Sequence, residues 1–299
     1  MILHGFTFAS FILMALLSFP SPFTVEFGSF LPLLKISGFL YFVAAICQWR
    51  KIKYIGIACE ILASGVVLTI PVLISTYIAM SFKLPLADAH LVAMDYALGF
   101  EWHALIALVH SNTLLEDILA RAYTSFSYQL MAVPVLLVAF RNETRACAFV
   151  MGYGILCFIS SFLAIWYPAL GTYVTYGVSQ ADVPNIRAFF GFFFLDDFNA
   201  VRENPDFILS LEGAAGIVTY PSVHAGVACL IIWAMWANRF TRWPFLVLNC
   251  FMCLSAISHA NHYLVDVIAG MGIAGLTASL VSWIFMHERG LKALRIQTA

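Results

Sequence analysis

The chain has 299 residues, 62% of them hydrophobic and 10% charged, with a formal net charge of −1. A soluble domain carries about 25% charged residues, so this deficit, with a mean hydropathy of +0.91, excludes an ordinary soluble fold. The near-neutral balance also leaves no footprint for nucleic acid, and the repeated apolar runs point to an all-α polytopic membrane protein.

Taken in order, residues 5–20 read as a first short span that stops at Pro20-Ser21-Pro22. With no basic segment ahead of it and no clear small-residue cleavage site, it is expected to be a retained span and not a signal peptide. A second span covers 30–48 and ends at the basic run Arg50-Lys51-Ile52-Lys53. The third, 54–82, holds Glu60 near its start and Pro71, where a kink is expected. Residues 84–112 carry Asp88, His90, Asp95, Glu101, Trp102, His103 and His110. That polarity predicts an amphipathic interfacial helix and not a span.

Spans at 118–140 and 145–167 follow, then a loop at 168–220 punctuated by Pro168, Gly171, Pro184, Gly191, Pro205, Gly213 and Gly216. A loop that long in a compact protein is usually functional. Spans at 221–238, 243–258 and 262–286 bring the count to about eight, and a basic tail occupies 287–299. The expected division is two N-terminal helices in 1–53, a six-helix catalytic membrane domain in 54–286, and a cytosolic tail. The seven cysteines fall mostly in apolar segments and read as small core hydrophobes. Cys250 and Cys253 form a CxxC without a second pair, so no metal or redox centre is expected.

Orientation follows from the basic residues. With the N-terminus inside, the inner segments hold Arg50, Lys51, Lys53, Arg141, Arg145, Arg239, Arg242, Arg289, Lys292 and Arg295, ten of the fifteen. Lys83, Arg187 and Arg202 fall outside, with Arg121 near the outer boundary. The loop 168–220 is therefore expected on the extracytoplasmic face, periplasmic or lumenal.

Two polar knots open apolar segments on that face: Tyr220-Pro221-Ser222-Val223-His224 and Ser255 to Asp266. His262 and Asp266, four apart, can touch on a helix. An imidazole whose other nitrogen donates to a carboxylate is a good nucleophile toward phosphorus. His262 is then the candidate nucleophile, Asp266 its partner, and His224 the acid that protonates the leaving oxygen. Ser222 and Ser255 can bind phosphate oxygens, and a cation is needed. Arg202 and Arg187 are the first candidates for it, then Arg121. His259, a turn from His262, reads as structural, and Asn261 as a helix-start residue. The pair Asp196-Asp197 reads as solvated, and the run 189–194 as a loop dipping into the membrane near the lipid tail.

These residues resemble a known family. Pro221-Ser222-Val223-His224 resembles the P-S-x-H motif of the type 2 phosphatidic acid phosphatase superfamily. Ser255-x(6)-His262-x(3)-Asp266 resembles its S-R-x(5)-H-x(3)-D motif, with Ala256 in place of the arginine. The resemblance implies a six-helix phosphatidic-acid-phosphatase-like core, a phosphohistidine on His262, and no metal or other cofactor. Trp166-Tyr167-Pro168-Ala169-Leu170-Gly171-Thr172-Tyr173 is similar to a segment of the inositolphosphotransferase-like branch, which includes inositol phosphorylceramide synthase. That similarity adds Tyr173 to the candidate phosphate-binding residues, and Val201-Arg202-Glu203-Asn204, which also looks like that branch, ranks Arg202 first among the cations.

The expected function is cleavage of a lipid phosphoester and transfer of the phosphoryl-containing head group to a lipid alcohol, of sphingolipid or phosphoinositol type. The alternatives are a lipid phosphate phosphatase transferring to water, a metal enzyme built on His224, His259, His262 and Asp266, and a membrane transporter. The expected partners are a phospholipid substrate, a lipid or water acceptor and the membrane.

Overall fold

The structure is a computed structural model that describes residues 2–297, apart from the side chains of Phe190 and residues 288–297. Apolar runs without internal breakers become helices because only a helix satisfies its own backbone groups where water is absent. The N-terminal unit is α1 (Ile2–Ser18), the two-residue strand β1 (Thr24–Val25), a 3-10 turn at Phe27–Phe30 and α2 (Leu31–Trp49). Then come α3 (Lys53–Ser81), α4 (Asp88–Ala97), α5 (Trp102–Ser111), α6 (Thr113–Ala139) and α7 (Glu143–Ala164). The long loop contains α8 (Thr172–Thr175), α9 (Phe189–Phe193), α10 (Leu195–Glu203) and strand β2 (Ile208–Leu209). Last are α11 (Val223–Met235), α12 (Arg242–His259) and α13 (Leu264–Gln297).

Eight of these helices fall on the eight expected spans. Five segments are long and apolar enough to cross a membrane by themselves: Phe27–Trp49, Lys53–Ser81, Thr113–Ala139, Glu143–Ala164 and Leu264–His287. The chain is thus an integral membrane protein. α1 and α11 are apolar but shorter, at 17 and 13 residues.

Two expectations need correction. The single interfacial helix at 84–112 is two helices, α4 and α5, bent by 84° at the Leu98–Glu101 break. Gly99 sits at that break with φ +72, a backbone that stops the helix. The last span starts at Leu264 and not at residue 262, so His262 lies ahead of the helix. The backbone stays helical to Gln297, through most of the expected tail; the tail's side chains beyond His287, and residues 298–299, lie outside the described residues.

α11 is the hub, packed by α13, α12, α7 and α6. Its Val227, Leu230 and Ile231 join Leu68, Phe149, Leu156 and Ile273 in the largest buried apolar cluster. The approach of α13 to α11 requires a missing side chain. A Cβ on Gly270 would overlap the Ser222 carbonyl, and beside it the Ser222 N–H donates to the Asp266 carbonyl at 3.0 Å. Backbone contact this close fixes the two polar knots against each other.

The N-terminal helices are tied to α3 by polar groups. Ser64 bonds His4 at 2.8 Å and Tyr41 at 2.9 Å. β1 pairs in parallel with β2, joining the N-terminal unit to the long loop. On that loop Phe198 and Val201 of α10 are buried, in one apolar cluster with Tyr77 of α3. Asp197, expected to be solvated, accepts the Tyr77 hydroxyl.

Candidate active site

The site is built from the ends of three helices. Ser222, in an extended conformation, caps α11, its hydroxyl accepting the Ala225 N–H at 3.3 Å. That places His224 in the first turn of α11, with its ring between Tyr123 at 4.6 Å and Phe126 at 4.4 Å. Across from it, α12 ends at His259 and the chain turns through residues 260–263 before α13 begins.

Asn261 holds this turn. It adopts φ +69, which asparagine tolerates better than most residues. Its side chain accepts the Tyr173 N–H at 2.5 Å and donates to the Leu170 carbonyl at 2.6 Å. Its carbonyl accepts the Thr172 N–H at 3.1 Å. Gly171 meets it with φ +91, and a Cβ there would overlap Asn261. Asn261 is therefore a clasp between the turn and the long loop, not the helix-start residue expected.

His262 bonds Asp266 through Nδ1 at 3.2 Å, and the same carboxylate oxygen accepts the Tyr263 N–H at 3.0 Å. The second oxygen of Asp266 is buried without a partner among the described residues. Burial lowers the His262 pKa to about 4, against a smaller upward pull from the Thr219 carbonyl. The imidazole is thus neutral at pH 7, the form able to attack. The His224 and His262 rings are 6.3 Å apart, centre to centre. That separation puts both imidazoles at one site, where a single phosphorus centre can be approached by both.

Both histidines open on one cavity of about 600 Å³. Its walls are α6, through Tyr123, Thr124, Ser127 and Tyr128, and the loop, through Phe193, Phe194 and Thr219. Phe193 and Phe194 thus put part of the expected membrane-dipping run on the cavity wall.

The other expected phosphate ligands lie elsewhere. The Ser222 hydroxyl is used as the cap. Ser255 is fully buried on α12 and donates to the Met252 carbonyl at 2.8 Å. Tyr173 is buried and donates to the Ser258 carbonyl at 2.6 Å. Arg202 follows the inward-packed Val201, so its guanidinium turns aside, donating to the Leu84 carbonyl at 2.9 Å and lying 5.3 Å over Phe198. Arg187 grips Glu116 through three N–H groups and reaches Asp117 at 2.9 Å. Arg121 pairs with Asp117 at 2.7 Å. Among the described residues lining the cavity there is no lysine or arginine. Ala256, at the motif-arginine position, is buried in one cluster with Tyr173, Ala225 and Val267. His259 bonds Ser258 at 2.9 Å and faces Glu116 at 3.5 Å, apart from the His224–His262 pair.

Sequence reasoning missed the residues that hold the site from behind. Asp95 of α4 accepts the Leu264 and Val265 N–H groups, each at 2.9 Å, capping α13 from another helix. Burial raises the Asp95 pKa, and these two N–H groups pull it back. Asp88 accepts the Tyr263 hydroxyl at 2.8 Å and the Gly171 N–H at 2.8 Å. The acidic residues of 84–112 were visible as polarity, but nothing local said where they point. Replacing Asp95 with asparagine removes a charge from a helix N-terminus and leaves one N–H weakly bonded, at a cost of about 1–2 kcal/mol. Hydrogen exchange at the Leu264 and Val265 amides is then expected to speed up roughly five- to thirty-fold, and unchanged protection would show that Asp95 does not hold this turn.

The family model for the PAP2 superfamily matches residues 89–280, from α4 into α13 and across both polar knots. No curated protein and no solved structure matches the chain.

Proposed function

The chain belongs to the PAP2 superfamily, and on that basis we propose that it cleaves a lipid phosphoester through a phosphohistidine on His262 and passes the phosphoryl-containing head group to a lipid alcohol. The observation that carries this reading is His262 bonded to the buried Asp266 while facing His224 across a single cavity. Nε2 of His262 attacks phosphorus. The bond from phosphorus to the lipid oxygen breaks, and His224 supplies the proton that oxygen takes. Asp266 holds the Nδ1 proton and stabilises the positive ring. In the second half His224 takes the proton from the acceptor hydroxyl, whose oxygen displaces His262 and restores the enzyme.

Transfer of a head group is favoured over removal of a terminal phosphate by the cavity's charge. A phosphate monoester carries a charge of about −1.5 to −2 at pH 7 and calls for a cation at the site. A phosphodiester carries about one negative charge and is better matched to a lining without lysine or arginine among the described residues. We further take residues 54–286 as the catalytic unit and its site as extracytoplasmic, on the distribution of basic residues.

The test is pure enzyme with a head-group-labelled phosphodiester lipid, with and without a long-chain alcohol or ceramide. Label is expected to move to the acceptor lipid. Release of water-soluble phosphate independent of the acceptor would make the protein a phosphatase instead. In sealed right-side-out vesicles, substrate confined to the outer leaflet is expected to turn over; turnover only from the inner leaflet would reverse the orientation.

A further inference from the structure

A second cavity, of about 300 Å³, lies behind His224. It shares Phe126, Gly216, Val218 and His224 with the first, so the two meet at that histidine. Their chemistry differs. The first adds the hydroxyls of Tyr123, Thr124, Ser127, Tyr128 and Thr219 and both imidazoles to its apolar lining, whereas the second has three hydroxyls and His224 alone. The second is walled by Val72 and Leu73 of α3, Leu211 and Val223, with Phe30 and Leu33 from the N-terminal unit.

The hydroxyls and the thiol on its wall are already used. The hydroxyls of Thr69 and Thr76 donate to the Val66 and Leu73 carbonyls at 2.7 and 2.8 Å. Tyr153 and Cys157 pair with each other. A buried water needs two to four polar partners, and these groups offer few. The space also reaches the right depth. Thr69 is twelve residues from Ser81 at the site end of α3, about 18 Å along a helix, which is near the middle of a hydrocarbon layer about 30 Å thick.

We propose that this cavity takes one hydrocarbon chain of the lipid substrate, and that Leu33 and Phe30 set how much chain it admits. The proposal rests on the reading of the His224–His262 gap as the phosphate site. The chain's phosphate then sits at the junction and its tail runs from His224 toward the bilayer centre. Phe30, Leu33 and the α3 wall all lie outside the segment 89–280 that the family model matches. Chain selectivity therefore draws on residues outside that matched segment, and the strand pair β1–β2 couples the N-terminal ones to the loop that covers the site.

Two photoactivatable sixteen-carbon alkyl phosphates test this on the full-length protein in vesicles, one with a diazirine at the chain end and one beside the phosphate. The chain-end probe is expected to label peptides containing residues 30–33 and 69–76, and the phosphate-end probe those of α6 and the 215–219 loop. Filling the cavity with Leu33→Trp, or independently with Thr69→Leu, is expected to lower chain-end labelling roughly tenfold without lowering phosphate-end labelling. Chain-end labelling only on lipid-facing positions, undiminished by either variant, overturns the chain site and leaves the phosphate site standing. Failure of both probes to label overturns both. Labelling as expected from an enzyme that turns over no lipid supports the cavity and sinks the reaction.

Discussion

Replacing His262 with alanine is expected to lower turnover by about 10⁴-fold or more, some 5.5 kcal/mol of lost transition-state stabilisation. The size follows from the role. If Nε2 forms the covalent bond to phosphorus, no neighbouring group takes over, because the His224 ring centre is 6.3 Å away and, among the described residues, no carboxylate pairs with it as Asp266 does with His262. The fold should survive, since His262 lies in the turn ahead of α13 and the clasp at Asn261 does not use its ring. The same enzyme should yield an acid-labile phosphoryl adduct on His262 when slowed by His224→Ala. Turnover within tenfold of wild type in the His262→Ala protein would remove the nucleophile assignment.

Exchange of Asp266 for asparagine is the second large effect, a fall in kcat of about 10³–10⁴-fold with little change in KM. The carboxylate holds the proton on Nδ1 of His262, which leaves Nε2 free to attack. An amide can present its N–H₂ group instead, which reverses the tautomer and puts the proton on the attacking nitrogen. It also removes the negative charge that balances the ring once phosphorus is bound. Asparagine keeps the shape, but one oxygen of Asp266 serves both His262 and the Tyr263 N–H, so turning the amide N–H₂ to the ring also gives up that N–H; circular dichroism should stay close to wild type with a loss of about 1–2 kcal/mol in unfolding. A kcat within tenfold of wild type would mean that Asp266 serves the turn and not the chemistry.

Much of this protein can be read locally. Helices across the bilayer need only long apolar stretches, and eight of them fall on the segments where such stretches stand. His262 and Asp266 are four residues apart, close enough in sequence to pair, although the helix starts two residues later than expected and the bond forms in a turn held by Asn261 and Asp95. The motif spacing likewise brought His224 forward, and it does share a cavity with His262.

What could not be read depends on groups distant in sequence. Asp95 reaches Leu264 across 169 positions and Asp88 reaches Tyr263 across 175; in sequence both looked like the polar face of an interfacial helix. Arg202 and Arg187 stand out in sequence by their charge and by the face of the membrane they fall on. Their directions are set by Val201 packing inward and by Glu116 and Asp117 on α6. The apolar cavity behind His224 has walls from α2, α3, α7 and α11, brought together only when those helices pack. Hydrophobicity and short spacings act through neighbours along the chain, so they can be read in sequence. A side chain's partner depends on which helices meet, and that is settled by packing, as where Gly270 lets α13 touch Ser222 and bring the two knots face to face.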